Sequence, residues 1–183
     1  MLNEQQRTTL LRIAREAVEA AARRLPYTPK ADDPALHELA GAFLTLKKHG
    51  DLRGCIGTIE AHESMLVSVA NMARAAALED YRFPQVTPDE VPHLTISISL
   101  LAPARRVTDV NDIEVGVHGL IIEQGTRRGL LLPQVAVEWG WDREEFLDHT
   151  CRKAGLPKGS WKGGECKLYA FTAEVFGEEE QTE

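Results

Sequence analysis

From Leu94 to Leu100 the chain alternates without a break: Leu94, Ile96, Ile98 and Leu100 are apolar, and Thr95, Ser97 and Ser99 between them carry hydroxyls. Side chains of a strand alternate sides with a period of two, so this segment reads as a half-buried strand with one face on a core and a polar face opposite. Similar patterns recur. Gly41–Lys47 reads as a strand, and Lys48–Asp51 as a turn that leads into Leu52-Arg-Gly-Cys-Ile-Gly-Thr58. Ile113, Val115 and Val117 alternate towards Ile122, after which Gln124–Arg127 reads as a hairpin turn into Gly129–Pro133. Tyr169, Phe171, Ala173 and Val175 form a late strand.

Helices are interspersed irregularly. Asn3 with Gln6 makes a capping box ahead of a stripe of Leu11, Ala14, Val18, Ala21 and Leu25, closed by Pro26. Ser64 caps a helix bearing Met65, Val69, Met72 and Ala76 as far as Leu78. Asp142 with Glu145 makes a second box, Trp141 and Phe146 a hydrophobic staple, and Gly155 followed by Pro157 the helix end. Hairpin-joined strands with irregularly placed helices predict an α+β fold, a mixed and mostly antiparallel sheet with flanking helices. Neither the Gly-rich dinucleotide fingerprint nor a Walker loop occurs, so no nucleotide cofactor is expected.

Composition narrows the function classes. A net charge of −7 argues against a nucleic-acid partner, since phosphate binding draws on clustered Lys and Arg. No apolar run approaches a membrane span, and the first residues read directly into an amphipathic helix, which predicts a cytoplasmic protein. Three cysteines, Cys55, Cys151 and Cys166, include no CxxC pair and predict reduced thiols. The histidines form no HxH or HxxxH pair, and no metal site is expected. One core suits 183 residues, with a single domain over 1–177 and an acidic disordered tail over 178–183.

The chemistry centres on LRGCIG. In a regular strand Arg53 and Cys55 project from one face, where a guanidinium stabilises a thiolate, and Gly54 and Gly57 let a ligand approach the backbone. The alternative is a small packed cysteine, with Arg53 supporting a carboxylate elsewhere. His118, flanked by Gly116 and Gly119, suits an acid, a base or a ligand in a cleft, or a hydrogen-bonded structural role. Asp80 and Arg82 form either an ion pair that pins a turn or a carboxylate-binding arginine.

The segments GAFLTLKKHGDLRGCIGTIE, EDYRFPQVTPDEV, ISISLL, VGVHGLII and GLLLPQVAVEWGWDREEFLDHTCRKAGLP occur in the order found in the AMMECR domain family, which the chain resembles from about Gly41 to Phe176. Bacterial and archaeal members bear the name AmmeMemoRadiSam system protein A. The resemblance implies a larger α/β part with a smaller lobe, and association with a Memo-like protein and a radical SAM enzyme. By position, the motif residues are Arg53, Gly54, Cys55, Ile56 and Gly57; Arg82, Phe83 and Pro84; His118 and Gly119; and Pro133 and Gln134. Tyr81 stands where many members have proline. Two functions fit. Cys55 and His118 are the catalytic residues of an enzyme in which Cys55 is nucleophile or transient carrier. Alternatively, Arg53, Gly54, Gly57, Arg82 and Gln134 bind a small anion in a scaffold protein, the reading the sequence favours.

Overall fold

The computed structural model describes residues 1–178, and the chain divides into two compact units, Met1–Leu101 with the segment that begins at Glu174, and Ala102–Ala173. In the first unit, helix α1 (Glu4–Ala22) is followed by the antiparallel hairpin of β1 (Gly41–Lys48) and β2 (Asp51–Thr58). His49 and Gly50 both take positive φ at its tip. Helix α2 (Met65–Leu78) and strand β3 (Leu94–Leu101) complete the unit, with β1 pairing antiparallel to both β2 and β3.

The alternation at Leu94–Leu100 does what its period dictates. Ile96 and Ile98 join Leu44 and Leu46 of β1 in a core with Leu10, Ile13 and Val18 of α1 and Val69, Ala73 and Ala76 of α2. The other face carries the partnered rows Cys55–Thr45–Ser97 and Gly57–Phe43–Ser99. The Asn3–Gln6 box forms, but the buried stripe of α1 is Leu10, Ile13, Ala14, Ala17, Val18 and Ala21, and the helix ends at Ala22. Leu11 is only half-buried, and Leu25, beyond the end, is exposed. Ser64 occupies the N-cap of α2 without a side-chain cap bond.

The second unit holds β4 (Arg105–Arg106), β5 (His118–Gln124), β6 (Arg127–Leu131), helices α3 (Pro133–Trp139) and α4 (Arg143–Lys153), and the start of β7 (Lys167–Gly177). β5 pairs antiparallel with β6 and β7, and β4 pairs with β7. Leu120 and Ile122 of β5 pack with Phe146, Leu147 and Cys151 of α4. The Asp142–Glu145 box forms, and Gly155 takes a positive φ just past the cap.

Three expectations change. Ile113–Val117 is not a strand: a 3-10 turn at Val110–Asp112 precedes it, Gly116 turns the backbone with φ 88°, and Ile113 is buried from a loop that Arg143 Nε holds at the Ile113 carbonyl, 2.9 Å away. Helix α3 was not visible as a helix, because its seven residues bury only Pro133 and Ala136 before Gly140 stops it in the left-handed region. Such a segment is too short to show a helical period. Glu178 is no tail residue: its carboxylate accepts hydrogen bonds from Arg15 Nε at 2.7 Å and Ile96 N at 2.9 Å. The remainder of the expected tail, 179–183, lies outside the described residues.

Candidate functional site

Three stretches of the first unit meet at β2. Arg53 falls where the β1–β2 register slips, since Leu46 pairs with Gly54 and Lys47 with Leu52, leaving Arg53 as the extra residue of a bulge. A bulge interrupts the strict alternation and re-aims a side chain. The Arg53 guanidinium grips Glu90 through Nε (3.1 Å) and Nη2 (2.9 Å), and Nη1 donates to the Pro84 carbonyl at 2.8 Å. With 11% of its side chain exposed, Arg53 is a structural clamp on the segment that follows the RFP turn. The expected pairing of Arg53 with the Cys55 thiol is replaced by this one. Glu90 is held down to about 2, first by Arg53 and against its own burial, then by the Thr87 N–H and Lys48. Sequence reasoning missed Glu90, although Thr87-Pro-Asp-Glu90 carries a legible signal, a capping box with proline at its first position, and that box forms.

Asp80 is the second anchor. Only 5% exposed at the end of α2, its carboxylate accepts from the Cys55 N–H (2.9 Å), from Arg82 Nε (2.9 Å) and Nη2 (2.7 Å), and from the Arg82 N–H (3.2 Å). Hydrogen bonds from the Arg82 guanidinium first, then from these backbone amides, hold the Asp80 carboxyl well below the usual carboxylate range, although burial opposes them. The ion-pair reading of Asp80 and Arg82 thus describes the turn, with Tyr81 exposed between them. Arg82 Nη2 also reaches the Cys55 carbonyl at 3.4 Å, and 47% of the Arg82 side chain stays exposed. Its guanidinium is raised above its ordinary value chiefly by Asp80, with Cys55 among the lesser contributors. Arg82, and not Arg53, is the cation beside Cys55.

Cys55 itself is half-buried, and its Sγ lies 3.3 Å from the Thr45 hydroxyl. The two motif glycines serve packing. A Cβ on Gly54 would lie 2.4 Å from the Ala76 carbonyl oxygen of α2, and one on Gly57 would lie 2.2 Å from the Phe43 ring. The space that the sequence reading reserved for a ligand is taken by the protein's own helix and ring.

His118 and Gln134 belong to the second unit. His118 opens β5, opposite Thr172 of β7, and its Nδ1 accepts from the Glu114 N–H at 3.0 Å. Gln134 lies in the first turn of α3. The structure therefore joins Arg53, Gly54, Cys55, Gly57 and Arg82 in one place, while His118 and Gln134 belong to the second unit. No helix among the described residues is long and apolar enough to cross a membrane.

Comparison with known proteins extends this description. A protein of Thermococcus gammatolerans is 44% identical over 93% of this chain and 89% of its own length, and one of Methanothermobacter thermautotrophicus is 42% identical over 97% of each. The crystal structure of the uncharacterized protein PH0010 from Pyrococcus horikoshii, 41% identical, superposes with a TM-score of 0.82 over 93% of this chain and 90% of that one. The α+β architecture is thus that of a solved relative. With the AMMECR1 model matching residues 11–176, the chain belongs to the AMMECR1 family.

Proposed function

We propose that this protein is a binding or scaffold component that works with a Memo-like protein and a radical SAM enzyme, and that the Cys55–Arg82 corner is the surface it presents. The observation that carries the reading is the commitment of Arg53: both edges of its guanidinium are spent on Glu90 and Pro84, so it is not available to activate a nucleophile. Arg82, by contrast, is oriented by Asp80 and keeps nearly half of its side chain in solvent, the arrangement of a recognition arginine. Beside it the Cys55–Thr45–Ser97 row offers small groups able to hydrogen-bond. A carboxylate, whether of a small anionic ligand or of a partner's side chain, suits that corner. The partner classes rest on the family resemblance of the motifs.

Co-purification of the chain with the Memo-like protein and the radical SAM enzyme tests the proposal. Cys55→Ser leaves association within about twofold, whereas Arg82→Ala weakens it by about tenfold or more, the scale of one lost charge-assisted contact. Loss of a downstream activity in Cys55→Ser with association intact would instead establish the cysteine as a chemical participant.

A further inference from the structure

The second unit contains a recess of about 540 Å³ that plays no part in the Cys55–Arg82 corner. Sheet register builds its floor. β4 pairs Arg105 with Ala170 of β7, and β7 pairs Ala170 with Leu120 and Thr172 with His118 of β5. Partnered residues share a face, as do residues two apart on a strand, so Arg105, Thr172 and His118 stand on one side of the sheet. Asp112, from the turn before β5, lines the same recess, and Val107 and Phe171 supply apolar wall.

The polar groups here are uncommitted. Among the described residues, neither the Arg105 guanidinium nor the Asp112 carboxylate has a hydrogen-bond or ion-pair partner. His118 Nδ1 accepts from the Glu114 N–H, which leaves the neutral ring's proton on Nε2 as a donor. Arg106, the neighbour of Arg105 on β4, lines the recess as well, and its guanidinium lies 5.7 Å from the centre of the Tyr169 ring. The recess therefore combines two arginines, one of them set against the Tyr169 ring, with one anion, an imidazole N–H and a hydroxyl over partly apolar walls. A dianion such as phosphate meets repulsion from Asp112, and a simple cation meets it from Arg105. A molecule carrying both signs satisfies both.

We propose that this recess binds a small zwitterion of the amino-acid type, its carboxylate received by Arg105, His118 and Thr172 and its ammonium by Asp112. The volume lies within the range of about 300–1,000 Å³ typical of small-molecule sites and leaves the apolar wall for a side chain. The inference stands apart from the proposed function, since no residue of the first unit contributes to it.

Amide chemical shifts of the full chain, followed during titration with L-leucine, L-serine, acetate and inorganic phosphate at matched ionic strength, test it. Expected are saturable shifts at Arg105, His118 and Thr172 with at least one amino acid, binding about tenfold weaker for acetate and none for phosphate. Arg105→Gln and Asp112→Asn replace exposed side chains and retain the fold; each weakens amino-acid binding by about tenfold, and Asp112→Asn narrows the margin over acetate. Absence of saturable shifts with both amino acids overturns the proposal. So does phosphate or acetate binding as tightly as the amino acids, or indifference of amino-acid binding to either substitution.

Discussion

Replacing Gly54 with alanine separates a packing glycine from a ligand-admitting one. The new Cβ would lie 2.4 Å from the Ala76 carbonyl oxygen and 3.3 Å from its carbon, whereas ordinary contact begins at 3.4 Å. The obstacle is helix backbone, so α2 has to move by about 1 Å, against the close packing of Val69, Ala73 and Ala76 with β1. Overpacking of this kind costs about 1–3 kcal/mol, and alanine returns only about 0.4–1 kcal/mol through a less flexible unfolded chain. A net loss of about 1–2 kcal/mol corresponds to a fall in Tm of about 2–8 °C for a chain of this length. At Gly57 the obstacle is the ring of Phe43, a half-buried side chain that can turn aside, so Gly57→Ala costs about 1 kcal/mol or less. Thermal unfolding followed by circular dichroism measures both. An unchanged Tm in Gly54→Ala, or a larger loss in Gly57→Ala, would refute the packing account of the motif.

Two further outcomes follow from the anchors. Glu90, ordinarily near 4.5 and held down to about 2, stays ionised in the folded state where the unfolded chain already takes up a proton, so its stabilisation is complete above about pH 4.5 and decays towards pH 2; Glu90→Gln lowers Tm at neutral pH and flattens its fall across that window in acid scans. Because Arg53 is spent on Glu90, the iodoacetamide labelling rate of Cys55 in native Arg53→Gln at pH 8 stays within about twofold of the parent, with Glu90→Gln as the control for loosening, and a slowing of about tenfold would restore Arg53 as the activating cation.

What could be read in the sequence follows from the range of each signal. The Leu94–Leu100 strand, the Asp142 and Asn3 caps and the Gln124–Arg127 hairpin are local patterns, and each appears as expected. Ile113–Val117 shows the same alternation and is a loop, because a loop crossing a core also buries some residues and exposes others. At the site, period-two reasoning placed Arg53 over Cys55. The register slip that sends Arg53 to Glu90 depends on how β1 and β2 align, and no count along one strand contains it. The partner 37 positions away was equally out of reach, although its capping box was not.

Asp80 joins what the sequence shows as two separate motifs, and its neutral isostere tests that link most directly. Its Oδ2 receives the Cys55 N–H and Arg82 Nη2 together, while Oδ1 receives Arg82 Nε and N–H. In Asp80→Asn one oxygen becomes an amide that can only donate, so a donor faces the guanidinium whichever way the side chain flips, and in one of the two orientations it faces the Cys55 N–H as well. A half-buried N–H without an acceptor costs about 1–3 kcal/mol, and the weakened hold on Arg82 adds to it. The loss is local first. The Cys55 amide exchanges with deuterium faster than the neighbouring amides of β2, and its thiol labels faster as the turn releases Arg82 from the Cys55 carbonyl. The carboxylate of the parent lies well below its ordinary range, so its advantage over Asn is full at neutral pH and shrinks as acid protonates the unfolded chain and then Asp80 itself. Equal exchange at Cys55 in both proteins at neutral pH would mean that the strand holds itself and that Asp80 only braces the turn.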